Sequence, residues 1–111
     1  MSAELPDNSP DNSIEAIAAA AATARRVVKI CNQKGLHARA AARFVKTAHD
    51  FDAEIWVRKN GTIVNGRSIM GLMMLAAGPG TSITVEAVGP EASQVVEALA
   101  GLVAGRFTEG E

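Results

Sequence analysis

Gly35-Leu36-His37-Ala38-Arg39-Ala40-Ala41-Ala42-Arg43-Phe44-Val45 is the stretch whose reading decides the fold. Gly35 can take positive φ, and the alanine run behind His37 is a strong intrinsic helix former, so a helix is expected from about Ala38 to Ala48. Ala41, Phe44, Val45 and Ala48 then share one stripe that faces a core. His37 and Arg39 stand at the start of that helix. A first turn carries N–H groups without intrahelical partners, and with the macrodipole these favour an anion by roughly 0.3–1 kcal/mol when exposed. A neutral imidazole nitrogen is a nucleophile, and the same dipole disfavours imidazolium. Phosphate is the anion that fits: a phosphoryl group on His37 would lie over the amides, and Arg39 supplies a fork of donors that matches its oxygens. His37 is therefore expected to be presented to solvent. Taken alone, the pairing is equally the mark of a surface histidine at a helix start.

Outward from this stretch, the chain alternates strand and helix. Val28 and Ile30 against Lys29 and Cys31 have period two and predict a first strand from Arg26 to about Asn32, followed by a loop that delivers His37. Ala53, Ile55 and Val57 alternate with Glu54, Trp56 and Arg58. Asn60-Gly61 then marks a tight hairpin into a strand from Thr62 to about Asn65. Trp56 falls on the face away from the helices and reads as half-buried packing in preference to a ligand platform. Ser68 precedes Ile69-Met70-Gly71-Leu72-Met73-Met74, a short helix that it caps. Gly78-Pro79-Gly80 breaks the chain, and Ile83, Val85 and Ala87 form the last strand. Gly89-Pro90-Glu91 opens the final helix with Pro90 in its first turn. There Ala92, Val95, Val96, Leu99, Leu102 and Val103 make a second core stripe, Gly105 ends it, and the tail from Arg106 is expected to be loose. His49, at the end of the first helix, suits a helix C-terminus as a cation-capable side chain. The order βαββαβα is an α+β arrangement, with two long helices able to cover one sheet face.

Composition sets bounds on function. The 111 residues are 48% hydrophobic, but aromatics make up 4% and tyrosine is absent, so the core must be built from Val, Ile, Leu and Met. A formal net charge of −1 argues against a sequence-independent nucleic-acid binder and gives no reason to expect membrane attraction. No apolar run reaches the ~20 residues of a spanning helix. The single cysteine, Cys31, excludes an internal disulfide and a Cys-cluster metal site, and a reducing cytoplasm fits. Cys31 reads as a small core or sheet residue, not a reactive thiol. Residues 1–24 read as a disordered or weakly helical leader outside the domain. The Ala-rich part invites an export-signal reading, but the leader lacks a basic n-region and carries Glu4, Asp7, Asp11 and Glu15 instead. The domain is expected to span residues 25–108, with 109–111 as a loose end.

Three stretches in fixed order are more specific than the first alone: Gly35-Leu36-His37-Ala38-Arg39, Asn65-Gly66-Arg67-Ser68-Ile69-Met70-Gly71-Leu72-Met73, and Ala76-Ala77-Gly78-Pro79-Gly80-Thr81. Together they resemble HPr, the histidine phosphocarrier family of the bacterial phosphoenolpyruvate-dependent phosphotransferase system, from about Arg26 to about Thr108. The resemblance implies an open-faced β-sandwich, a four-stranded antiparallel sheet with helices on one face. It implies phosphorylation of His37 at Nδ1, with Arg39 stabilising the phosphate and Ala38, Arg39 and Ala40 binding it at the helix N-terminus. It implies enzyme I as donor and an enzyme IIA-type acceptor, with no cofactor, no metal and a monomeric carrier that is not an independent enzyme. Ile69, Met70, Leu72 and Met73 are the candidate docking residues, since flexible apolar side chains suit a carrier with several partners. With Met74 in place of Leu72, the four apolar side chains of this short helix are expected to divide between core and surface. Some members are phosphorylated by an HPr kinase on the serine that opens this segment. An N-cap hydroxyl explains Ser68 without it.

One position departs from the family pattern, which commonly has proline where this chain has Ala40. Alanine leaves one more amide near the phosphate. Ala40, the Ala-rich first turn and Ser68 to Leu75 resemble the nitrogen-related branch, NPr, more than the sugar-transport branch, which stands as the alternative beside a non-catalytic interaction domain of the same fold. An RNA-recognition reading would need several stacking aromatics where only Trp56 stands. An independent hydrolase would need an acid/base pair or metal beside His37.

Overall fold

Alternating side chains build a sheet whose inner face is apolar. In the computed structural model, which describes residues 23–108, the strands are β1 (Thr23–Lys29), β2 (Glu54–Lys59), β3 (Thr62–Asn65) and β4 (Ser82–Val88). They pair antiparallel in the order β1-β4-β2-β3. The register sets Val28 opposite Ile83, Val57 opposite Val85 and Ile55 opposite Ala87, and all six are buried. Arg25, Trp56, Arg58 and Glu86 occupy the other face, where Glu86 pairs with Arg25 at 3.4 Å and Arg58 at 3.0 Å. Such exposed pairs contribute little.

The helices are α1 (Ala38–Ala48), α2 (Ile69–Met74) and α3 (Ala92–Ala104). α3 packs on β1 and β4, and α1 packs against α2 and α3. Ala40, Ala41, Phe44, Val45 and Ala48 form the buried stripe of α1, and Phe44 is fully enclosed. This is the α+β, βαββαβα open-faced sandwich that the pattern predicts. The long stripe of α3 also holds, with Ala100 replacing Leu102 among its buried positions.

Four local expectations change. β1 begins at Thr23, because the ladder continues through Ala24↔Ala87 to Thr23↔Val88, and it ends at Lys29. The apolar alternation is interrupted at Arg26, whose guanidinium pairs with Glu97 of α3, and this hid the early start. The expected boundary after residue 24 therefore cuts a strand; the rest of the leader and residues 109–111 lie outside the described residues. Cys31, expected in the core or the sheet, lies past the end of β1 and is exposed, with its Sγ donating to the Val103 carbonyl at 3.3 Å. The strand has ended, but its alternation continues: Val28, Ile30 and Asn32 are buried and Lys29 and Cys31 are exposed, so Cys31 falls on the outward side. Pro90 precedes α3, which starts at Ala92 with Glu91 as N-cap. Finally, the tail is not loose from Arg106: a 3-10 turn, Arg106–Thr108, buries Phe107 completely. Arg106, Phe107 and Thr108 all take positive φ near 60° to achieve this, while Gly105 does not. The Arg43 guanidinium donates to the Phe107 carbonyl and, at 2.9 Å, to Thr108 Oγ1.

Candidate functional site

The loop before α1 is fixed at two points. Gly35 has φ +64, and a Cβ there would lie 2.5 Å from the Ala77 carbonyl oxygen, so no larger residue fits. Next, the Leu36 N–H donates to that carbonyl at 2.9 Å while its side chain enters the core. His37 therefore emerges as the N-cap of α1 in extended conformation, φ −79 and ψ 179, and makes no side-chain cap hydrogen bond.

The first intrahelical bond runs from Ala41 N–H to the His37 carbonyl at 2.8 Å. The amides of Ala38, Arg39 and Ala40 lie ahead of it, and the first turn holds no acidic side chain. These are the donors an anion would meet. Ala38 and Arg39 are exposed, whereas the Ala40 side chain is fully buried, so Ala40 can offer its amide alone. The Arg39 guanidinium has no hydrogen bond or ion pair among the described residues. The imidazole is half-buried, less open than expected, and its Nδ1 lies 3.1 Å from the Gly35 carbonyl oxygen. The chain thus brings a nucleophile, an exposed guanidinium and three amides to one helix start.

α2 supplies the second surface. Ser68 caps it as expected, its Oγ accepting from the Gly71 N–H at 2.9 Å. Of the candidate docking residues, Leu72 cannot take part: it is fully buried, and the core holds it together with Leu75. The division expected for the other four does not occur. Ile69, Met70, Met73 and Met74 are 40%, 71%, 42% and 75% exposed, because one turn and a half can turn only one face inward. The patch adjoins the His37 loop through the chain itself, since Ala77, which holds Leu36, lies three residues beyond Met74. Lys59 Nζ closes the end of α2 by donating to the Leu75 and Ala76 carbonyls at 3.0 and 3.1 Å.

Two residues near the site carry roles the sequence did not assign. Arg67 donates to the carbonyls of Ala53 at 2.6 Å, Phe51 at 2.9 Å and Ala48 at 3.2 Å, tying the end of α1 to the start of β2. Its place in the Asn65-Gly66-Arg67-Ser68 motif was the one available signal. Asn32, fully buried, donates from Nδ2 to the Gly35 carbonyl at 2.8 Å. Among the described residues no group of His, Cys, Asp or Glu could hold a metal ion, and no helix is long and apolar enough to cross a membrane.

Comparison with known proteins agrees with this geometry. The family model described as "PTS HPr component phosphorylation site" matches residues 24–105. The phosphocarrier protein HPr of Neisseria meningitidis serogroup A is 49% identical over 78% of this chain and 98% of its own. The phosphocarrier protein NPr of Shewanella violacea is 40% identical over 76% of this chain and 92% of its own. In structure, HPr from Bacillus anthracis superposes with a TM-score of 0.71 at 44% identity, covering 74% of this chain and 98% of that one. A helix start carrying His37 and Arg39, a matching family model over most of the chain and relatives of full length lead to one conclusion: the chain belongs to the HPr family of phosphotransferase-system phosphocarriers, which relay a phosphoryl group and are not independent enzymes.

Proposed function

We propose that His37 accepts a phosphoryl group from phosphorylated enzyme I, originating in phosphoenolpyruvate, and passes it to an enzyme IIA-type protein. The observation that carries this reading is the start of α1 at His37, which has no side-chain cap, with Arg39 beside it and uncommitted among the described residues. An imidazole nitrogen attacks phosphorus as the donor's bond to phosphorus breaks, and the reverse step unloads it. The amides of Ala38, Arg39 and Ala40 and the Arg39 fork hold the oxygens meanwhile. Nδ1 is the nitrogen the family resemblance implies. The exposed side chains of Ile69, Met70 and Met73, joined by Met74 and without Leu72, form the docking surface for both partners.

The nitrogen-related assignment, which rested on Ala40 and the segment from Ser68 to Leu75, has less support than the family-level one. Relatives named HPr reach 49% and 45% identity against 40% for the NPr of Shewanella violacea, and these favour the sugar-type alternative. The experiment is phosphorylation of the full chain by phosphoenolpyruvate with a sugar-type and, separately, a nitrogen-type enzyme I. Label lost in acid and kept in base identifies an N–P bond. Absence of label with both enzymes would overturn the carrier reading, and the faster donor assigns the branch.

A further inference from the structure

A fully buried asparagine in a loop needs a reason, and Asn32 has one that reaches His37. Its Nδ2 donates to the Gly35 carbonyl at 2.8 Å, while the Gly35 N–H returns to the Asn32 carbonyl at 3.2 Å, so the turn is closed from both sides. The neighbouring Leu36 N–H, bonded to Ala77, prevents the peptide from rotating. The Gly35 oxygen, pinned in this way, lies 3.1 Å from His37 Nδ1. A carbonyl oxygen only accepts, and with two lone pairs it can serve both donors. Its contact with Nδ1 is therefore a hydrogen bond when the ring proton is on Nδ1, which leaves the lone pair on Nε2.

We infer that Asn32 is a positioning residue for His37: acting through the Gly35 carbonyl, it holds the unloaded imidazole as the Nδ1–H tautomer. The consequence for transfer rests on the proposed role of His37, while the tautomer itself does not. For a phosphoryl group to bond to Nδ1, the donor's bond to phosphorus breaks, the Nδ1 proton passes to solvent, and Nε2 takes a proton from solvent. The neutral product carries phosphorus on Nδ1 and hydrogen on Nε2. The bond to Gly35 is therefore present in the unloaded form alone. It favours that form, and so raises the tendency of the loaded carrier to give its phosphoryl group up.

The test is long-range proton–nitrogen correlation NMR on the unphosphorylated full chain with 15N-labelled histidine, at a pH where both rings are neutral. His37 is expected as Nδ1–H, and the exposed His49 as the Nε2–H form that water favours. In Asn32→Ala, His37 is expected to move to Nε2–H while His49 stays unchanged, and the loaded form should gain several-fold in its equilibrium with enzyme I. If Asn32→Ala does not fold, Asn32→Asp removes the donor at nearly the same volume. An Nε2–H ring in the wild-type chain would overturn the inference without any variant. An unchanged tautomer in a folded Asn32 variant would overturn the role of Asn32. Neither result depends on a phosphoryl donor, so failure here is distinct from failure of the carrier reading.

Discussion

The starts of α1 and α2 are built in opposite ways. At α2, Ser68 returns its hydroxyl to the Gly71 N–H; at α1, His37 occupies the same N-cap position and makes no side-chain cap hydrogen bond. An N-cap of the Ser type stabilises a helix by about 1 kcal/mol relative to a residue that cannot cap. α1 forgoes this and depends instead on its buried stripe, with Phe44 at the centre. Two arginines repeat the contrast. Arg67 gives its guanidinium to three carbonyls, while Arg39 is bound to nothing among the described residues. The first-turn amides of α1, which its N-cap side chain does not take up, are those a phosphoryl group would engage. A site that binds and releases needs donors in reserve, and the fold keeps its stability elsewhere.

The strongest way to break this contrast is to make α1 start like α2. His37→Ser should abolish phosphorylation by enzyme I and, by adding a cap, raise unfolding free energy by about 0.5–1 kcal/mol in urea titration. Retained label in this variant would place the site on another residue. Exchange between the arginines is next in size. Arg67→Ala removes three hydrogen bonds from a charged donor and should cost roughly 2–4 kcal/mol, read as a lower urea midpoint. Lysine should recover little, because it lacks the planar fork. Arg39→Ala should leave the urea midpoint where it was and slow transfer from enzyme I roughly 10- to 100-fold, the worth of a charge-assisted bond at about 1.5–3 kcal/mol. Unchanged transfer would assign Arg39 to solvent.

What the sequence disclosed follows the same division. The sheet, the two long helices and the hairpin at Asn60-Gly61 rest on periods of two and 3.6 residues, which a chain displays openly. That His37 and Arg39 stand at a helix start was legible because such a start has its own local grammar. Arg67 and Asn32 were not, since each acts on backbone carbonyls brought near by the fold: those of Ala48, Phe51 and Ala53 for Arg67, and that of Gly35 for Asn32. Phe107 was hidden by its backbone. Three successive non-glycine residues at positive φ are disfavoured locally, so nothing short of the cavity that Phe107 fills points to such a turn. In α2 the apolar run was plain but its inward face was not, because six residues are too few to show which side turns to the core.

The smallest effect on stability belongs to Ser68→Asp, and it is the one that separates capping from docking. Aspartate also serves as a helix N-cap and can accept the Gly71 N–H, so stability should move by well under ~1 kcal/mol, whereas Ser68→Ala should cost about 1 kcal/mol. The new carboxylate stands beside Ile69 and about a turn and a half from Met73, on the rim of the exposed patch. Covering that patch with a partner would desolvate the charge, which costs several kcal/mol unless a basic group meets it. Affinity for enzyme I, measured by titration calorimetry, should therefore fall while the melting temperature stays nearly constant, and a regulatory phosphate on this hydroxyl would act in the same sense. Equal affinities of Ser68→Asp and the wild-type chain would remove α2 from the docking surface. The four exposed side chains from Ile69 to Met74 would then need another reason to face water.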